Sequence, residues 1–235
     1  MNDNDLEKAS FSGPFLALRV HVPMACFRDA YAREYSQSYP FAPPSTVYGF
    51  LLSMVGETDR LQHQSARIIV GRFRASQVSR VLRTNFRWKD MKDITSAKNR
   101  SPDWQELLTD VRVAVWLADG DDEPAASTHG TLRARVKAAL ENPEGVDRFG
   151  GLSLGESTHL VDAVWEMERY REGYGVDSSE RLDVLMPENT GLFTLPVWPN
   201  HIGASGTRWG TYEVQEVDDE TAWRPLAECW TEVCP

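Results

Sequence analysis

The chain has 235 residues, which is enough for one fair-sized domain or for one domain with a small appendage. Hydrophobic residues make up 41% and charged residues 26% of the sequence, and eight Trp, seven Tyr and nine Phe exclude a wholly disordered or fibrous protein. The net charge is −10, the three cysteines are few and odd in number, and no apolar run approaches the roughly 20 residues of a membrane span, so we expect a reduced, soluble, cytoplasmic protein with no membrane partner.

The first half of the chain is predicted to form strands around one helix. Residues 16–22 alternate between apolar and other side chains, which is typical of a strand with one buried face. Between residues 47 and 55 the apolar side chains recur at helical spacing and form a single stripe. Residues 68–73 and 78–86 have strand-like patterns and are predicted to form one long bent strand or two strands.

The elements that follow complete a recognisable order. Residues 87–102 are polar and basic, which indicates a projecting loop or hairpin. Alternation at 111–117 predicts a strand, helical spacing at 132–140 a second helix, and alternation at 161–167 a further strand. The order strand, helix, strand, strand, helix, strand is that of a ferredoxin-like βαββαβ domain, an α+β fold with two helices on one face of an antiparallel sheet.

The character of the sequence changes near residue 169. Proline and glycine separate short strand-like runs at 192–198 and 211–217. We therefore predict two domains, a ferredoxin-like domain over residues 1–168 and a small, mostly β domain over residues 169–235.

The basic residues are concentrated in one segment. Residues 67–100 contain ten Lys and Arg against two Asp, a net charge of +8, so the rest of the chain carries −18. Such a segment creates a local positive potential, and phosphate backbones are its commonest target. Phe73, Phe86 and Trp88 are interleaved with the cations, as stacking on single-stranded RNA requires. The alternative interpretation is a solvated hairpin whose cations pair with acidic residues elsewhere.

The stretch from residue 39 to residue 52 contains residues that favour the start of a helix. Pro43 and Pro44 stiffen the approach, Ser45 or Thr46 can cap the helix, and Gly56 can end it. A helix N-terminus with free N–H groups is a phosphate site. The alternative is a helix that is well capped and does nothing further.

The same region carries a family resemblance. Phe27-Arg28-Asp29, then Tyr39-Pro-Phe and Pro43-Pro-Ser-Thr-Val-Tyr-Gly-Phe-Leu, followed by Val55-Gly56, resemble the start of the Cas-five family. These proteins are CRISPR-associated RAMP-superfamily subunits of type I Cascade complexes. The resemblance implies a ferredoxin-like (RRM/RAMP) domain with an inserted basic thumb hairpin, here about residues 83–105, a glycine-rich stretch, here Phe149-Gly-Gly-Leu-Ser-Leu-Gly-Glu, and a small C-terminal β domain.

The resemblance also implies a function. Such subunits bind the 5′ handle of the CRISPR RNA (crRNA), cap the backbone filament and serve antiviral defence without chemistry of their own. The implied partners are the crRNA 5′ handle, the Cascade backbone subunit, the Cascade large subunit and target DNA near the protospacer-adjacent motif, with no cofactor and no metal. The RNA-binding residues that it implies are Arg28, Ser45, Thr46, Tyr48, Arg83, Phe86, Arg87, Trp88, Lys89, Lys92, Lys98, Arg100, Gly150 and Gly151.

Two alternatives stay open. Some members of the family are metal-independent endoribonucleases that process precursor crRNA with Tyr, Lys and His side chains, and His159, beside the glycine-rich stretch, is the candidate catalytic residue here. The second alternative is a protein–protein interaction module in which the basic segment meets an acidic protein. Cys229 and Cys234 have no second Cys or His pair beside them, so the sequence predicts no zinc site.

Overall fold

The computed structural model describes residues 11–32, 35–73, 76–86, 89–121, 130–175, 180–200, 206–217 and 224–235. The strands among them are β1 (Phe15–Ala25), β2 (Tyr35–Ser36), β3 (Arg67–Phe73), β4 (Gln77–Phe86), β5 (Arg100–Ala118), β6 (Ala163–Glu166), β7 (Leu182–Pro187), β8 (Phe193–Trp198), β9 (Arg208–Val217) and β10 (Thr231–Glu232). The helices are α1 (Pro44–Met54), α2 (Leu132–Glu141) and α3 (Met167–Tyr174). None of these helices is long and apolar enough to span a membrane.

The strands form one large, mainly antiparallel sheet. Its main path runs β6-β1-β5-β3-β7-β9-β8, while β2 and β4 pair with β5, and β10 pairs with β3. Every pairing is antiparallel except that of β2 with β5. Strands on both sides of residue 168 therefore belong to the same hydrogen-bonded sheet, because β7 pairs with β3 through Gly71 and Val184.

The two faces of the sheet bury different clusters. Helices α1 and α2 cover the first face, where the alternating apolar residues of β1 and β5 meet Val47, Leu51 and Val136. The second face buries Trp116 of β5 beneath Met167 of α3 and the C-terminal segment. The period-two pattern of β5 thus has apolar residues on both faces, and the C-terminal part of the chain supplies the cover for one of them.

The start of α1 differs from the sequence prediction. The N-cap residue is Pro43 and makes no side-chain cap bond, so the prediction that Ser45 or Thr46 caps the helix was wrong. The Pro43 carbonyl accepts hydrogen bonds from the N–H groups of Thr46 and Val47, at 2.9 and 3.0 Å. Because Pro43 and Pro44 have no N–H group, this helix start offers fewer free donors to an anion than most.

The end of α1 is as predicted. Gly56 adopts a positive φ of 68°, and the N–H of Glu57 donates to the Leu52 carbonyl at 2.9 Å, which closes the last turn. A Cβ atom at Gly56 would collide with the backbone oxygen of Asp147. Gly56 is therefore required both by its backbone conformation and by its close approach to the segment after α2.

Candidate nucleic-acid interface

Strands β4 and β5 form a long hairpin that extends beyond the body of the sheet. We call residues 77–109 the basic hairpin, because β4 pairs with β5 from Gln77 opposite Thr109 to Phe86 opposite Arg100. The paired region is longer at both ends than the 83–105 range predicted for a thumb. It arises because β5 is 19 residues long, and its second half alone is held between β1 and β3.

One buried asparagine orders the tip of the basic hairpin. The Asn99 side chain is fully buried, and its Oδ1 accepts hydrogen bonds from the N–H groups of Lys89 and Asp90 at 2.9 and 2.8 Å. Its Nδ2 donates to the carbonyls of Asp90 and Asp93 at 3.1 and 3.0 Å. The tip is thus folded around a single amide, a role that the sequence analysis missed because nothing in the local pattern separates Asn99 from any other turn asparagine.

The predicted cations differ in how they are presented. The three lysines Lys89, Lys92 and Lys98, which we call the tip lysines, and Arg100 are exposed. Phe86 is also exposed, and the neighbouring Leu82 and Trp104 face each other across the hairpin with more than half of each side chain in solvent. Arg87 and Trp88 lie outside the described residues. The hairpin therefore presents cations together with apolar and aromatic side chains.

The other residues singled out from the sequence are dispersed. Arg28 is exposed, Ser45 and Thr46 are half-buried in the first turn of α1, and Phe73 is buried. Tyr48 is buried too, and its hydroxyl donates to the Arg60 carbonyl at 2.7 Å. In this structure Tyr48 and Phe73 are packing residues, so neither presents a ring for stacking on RNA.

The glycine-rich stretch forms a compact loop that packs on the end of β1. Gly150 and Gly155 have positive φ values of 79° and 101°. A Cβ atom at Gly155 would lie 2.9 Å from the Cys26 carbonyl oxygen, so this glycine permits a close approach, whereas Gly150 has open space around it. Leu160 lies 3.3 Å from the Cβ position of Gly151.

His159 anchors this loop from inside. It is 2% exposed, and its Nδ1 accepts hydrogen bonds from the backbone N–H groups of Cys26 and Glu156 at 3.2 and 3.1 Å. Burial lowers the pKa of His159, although the neighbouring Glu156 opposes this. Because Nδ1 accepts from two backbone N–H groups, the ring hydrogen lies on Nε2, and the candidate catalytic histidine is placed as an internal support.

A direct contact joins the glycine-rich loop to the basic hairpin. Glu156 accepts a hydrogen bond from Gln105 Nε2 at 2.6 Å and from an Arg83 guanidinium nitrogen at 3.3 Å. Arg83, a predicted RNA-binding cation, is therefore paired with a carboxylate. Glu156 and Gln105 carry no signal in the sequence, because the residues that they contact lie more than 50 positions away along the chain. Among the described residues, no group of three His, Cys, Asp or Glu is placed to hold a metal ion.

Comparison with known proteins defines the class to which this architecture belongs. Residues 15–224 match the family model described as "CRISPR-associated protein (Cas_Cas5)". The chain therefore belongs to the Cas5 family of CRISPR-associated proteins, which confirms the resemblance in the sequence.

Individual relatives agree with this assignment. The protein "CRISPR-associated protein Cas5" of Myxococcus xanthus (strain DK1622) is 39% identical over 203 residues, covering 86% of this chain and 91% of that protein. The fold is similar to that of a solved chain described as "CRISPR RNA-guided surveillance complex", with a TM-score of 0.57 at 16% identity, covering 87% of this chain and 89% of the other.

Proposed function

We propose that this chain is a non-catalytic, crRNA-binding subunit of a type I CRISPR surveillance complex, or Cascade, and that it caps the 5′ handle of the crRNA. The observation that carries the proposal is the exposed basic hairpin, whose tip is ordered by Asn99 and whose paired strands contact the glycine-rich loop. Membership of the Cas5 family and the structural likeness to a surveillance-complex chain support it.

The hairpin has the chemistry that a single RNA strand requires. The tip lysines and Arg100 offer cations for phosphates, while Phe86 and Trp104 offer exposed rings on which bases can stack. Because the Asn99 hydrogen bonds hold the tip in one conformation, less conformational entropy is lost when RNA binds. Arg87 and Trp88 stand between these groups in sequence and are included in the proposed RNA-binding set.

The sheet order supports a ferredoxin-like assignment for the first domain. Strands β6-β1-β5-β3 are antiparallel neighbours, with α1 between β1 and β3 in the chain and α2 between β5 and β6, which is the βαββαβ connection. We accordingly propose a RAMP domain over residues 1–168, with the basic hairpin as its thumb and residues 169–235 as the small β domain. The proposed neighbours are the Cascade backbone subunit, the large subunit and target DNA near the protospacer-adjacent motif. The proposed location is the cytoplasm.

The position of His159 supports a role without cleavage. A general base must accept a proton from the 2′-hydroxyl of its substrate, yet Nδ1 of this ring already accepts hydrogen bonds from two backbone N–H groups, and Nε2 carries the ring hydrogen. The two bonds at Nδ1 hold the glycine-rich loop against the end of β1.

The experiment that tests the function is incubation of the purified chain with labelled CRISPR repeat RNA in EDTA, analysed on native and denaturing gels. We expect retention on the native gel with intact RNA on the denaturing gel. A discrete cleavage product would favour the endoribonuclease. If RNA is bound neither by the chain alone nor through the chain within its purified complex, as judged by crosslinking, the interaction module would be favoured.

A further inference from the structure

Three hydrogen-bond donors from separate segments converge beside the middle of the paired part of the basic hairpin. Arg83 comes from β4, Gln105 from β5 and His159 from the end of the glycine-rich loop. All three surround the carboxylate of Glu156, with Gln105 Nε2 at 2.6 Å, an Arg83 nitrogen at 3.3 Å and His159 Nε2 at 3.8 Å. The arrangement is that of an anion site, and at present an internal carboxylate fills it.

The contribution of His159 is the unusual one. Its Nδ1 accepts two backbone hydrogen bonds, so the ring hydrogen is on Nε2. Among the residues that the structure describes, that buried Nε2 atom has no hydrogen-bond partner, since 3.8 Å is too long for a bond to Glu156. A buried donor without a partner is rare in folded proteins and calls for an explanation. Here it is aimed at the place where an anion lies.

We infer that Arg83, Gln105 and His159 form a phosphate site for the bound RNA strand, and that Glu156 occupies this site until RNA displaces it. The inference rests on the proposed RNA-binding function. An RNA phosphate has two anionic oxygens that each accept more than one hydrogen bond, and it is not tethered to the loop as the Glu156 carboxylate is, so it can come within bonding distance of the His159 donor as well as of the other two. The Glu156 side chain is 37% exposed and can rotate into solvent, where its charge is hydrated again.

The inference predicts that removal of the Glu156 charge strengthens RNA binding. If Glu156 only supported the fold, removing its charge would weaken RNA binding or leave it unchanged. If it competes with a phosphate, removing its charge releases Arg83 and strengthens binding. The dependence on salt also changes, because one additional phosphate contact steepens the slope of log affinity against log salt by about 0.7 for a single strand.

The test compares RNA affinity across a salt series for the wild type and Glu156→Gln. We expect the variant to bind about fivefold more tightly at 0.1 M salt, with the slope steeper by about 0.7. Glu156→Asp keeps the net charge but shortens the side chain by one methylene, and it should shift affinity in the same direction. Glu144→Gln, which removes an exposed carboxylate in the turn after α2, is the matched control for net charge. It should leave RNA affinity unchanged.

Two further measurements fix the interpretation. The double variant Arg83→Ala/Glu156→Gln should lose the gain, since the released cation is absent. Addition of inorganic phosphate to Glu156→Gln should shift the NMR signal of the His159 Nε2–H downfield, and this readout does not depend on RNA. If the wild type binds RNA neither alone nor within its purified complex, the proposed function fails and the phosphate titration alone decides on the site. No gain over Glu144→Gln in RNA affinity, or no shift of the His159 signal with phosphate, would overturn the inference.

Discussion

The substitution Asn99→Ala should open the tip of the basic hairpin and leave the rest of the fold intact. The amide makes four hydrogen bonds of 3.1 Å or less to the backbone of residues 89–93, all within the tip. At about 1 kcal/mol each, and with some replaced by water, their loss should lower the stability of the tip by about 3 kcal/mol. That corresponds to roughly a hundredfold faster amide exchange at Lys89 and Asp90 if these amides exchange by local opening.

Hydrogen exchange followed by NMR or mass spectrometry checks this directly, with RNA affinity as the second readout. Since the tip would have to be ordered again on binding, we expect weaker RNA binding at constant net charge. Asn99→Asp separates the two halves of the amide, because it retains the acceptor and removes the Nδ2 donor. Unchanged exchange at the tip in Asn99→Ala, or a fall in Tm as large as that of a core truncation, would refute this account of the tip.

Three further predictions concern the interface and its support. Replacing all three tip lysines with Ala should reduce the salt slope of RNA binding by about 2. The control Lys137→Ala, on the exposed face of α2, should leave the slope unchanged. An equal effect of both changes would contradict a specific interface. Gly155→Ala should destabilise the protein by about 1–3 kcal/mol in thermal unfolding because of its positive φ, unlike Gly173→Ala in the open part of α3. Tyr48→Phe should cost about 1 kcal/mol through loss of the hydrogen bond to the Arg60 carbonyl, with RNA affinity unchanged; a loss of affinity without a change in Tm would assign Tyr48 to the RNA instead.

The parts of the fold that could be predicted from sequence are those that a local period determines. Strand β1 and the second half of β5 carry an aliphatic residue at every second position, and α1 carries an apolar stripe, so each was identified in the correct place. Helix α3 was missed, since its eight residues are mostly polar and include a single buried one, Met167. The pairing of β7 with β3 also left no local signal, because it joins residues more than 100 positions apart.

In the candidate site too, features with a local sequence signal could be predicted, and features that depend on tertiary contacts could not. The basic hairpin could be located from composition, because the charge of a Lys or Arg side chain does not depend on the fold. The predicted cap on α1 was wrong because Ser45 and Thr46, which follow two prolines, resemble a capping motif in sequence. In the structure the Pro43 carbonyl accepts the hydrogen bonds of the first turn, and no side chain caps the helix. Asn99 and Glu156 acquire their roles only from the closure of the hairpin and the docking of the loop.

The acidic net charge and the basic hairpin are compatible once the ion pairs are considered. In the body of the sheet, arginines are paired with carboxylates, as in Arg19 with Glu180, Arg72 with Asp183 and several others. No ion pair among the described residues involves a tip lysine or Arg100. Charges are screened beyond about 8 Å at physiological ionic strength, so a phosphate at the tip responds to these cations far more than to the distant acidic surface. A chain of net charge −10 can therefore bind an RNA backbone, because the local distribution of charge decides.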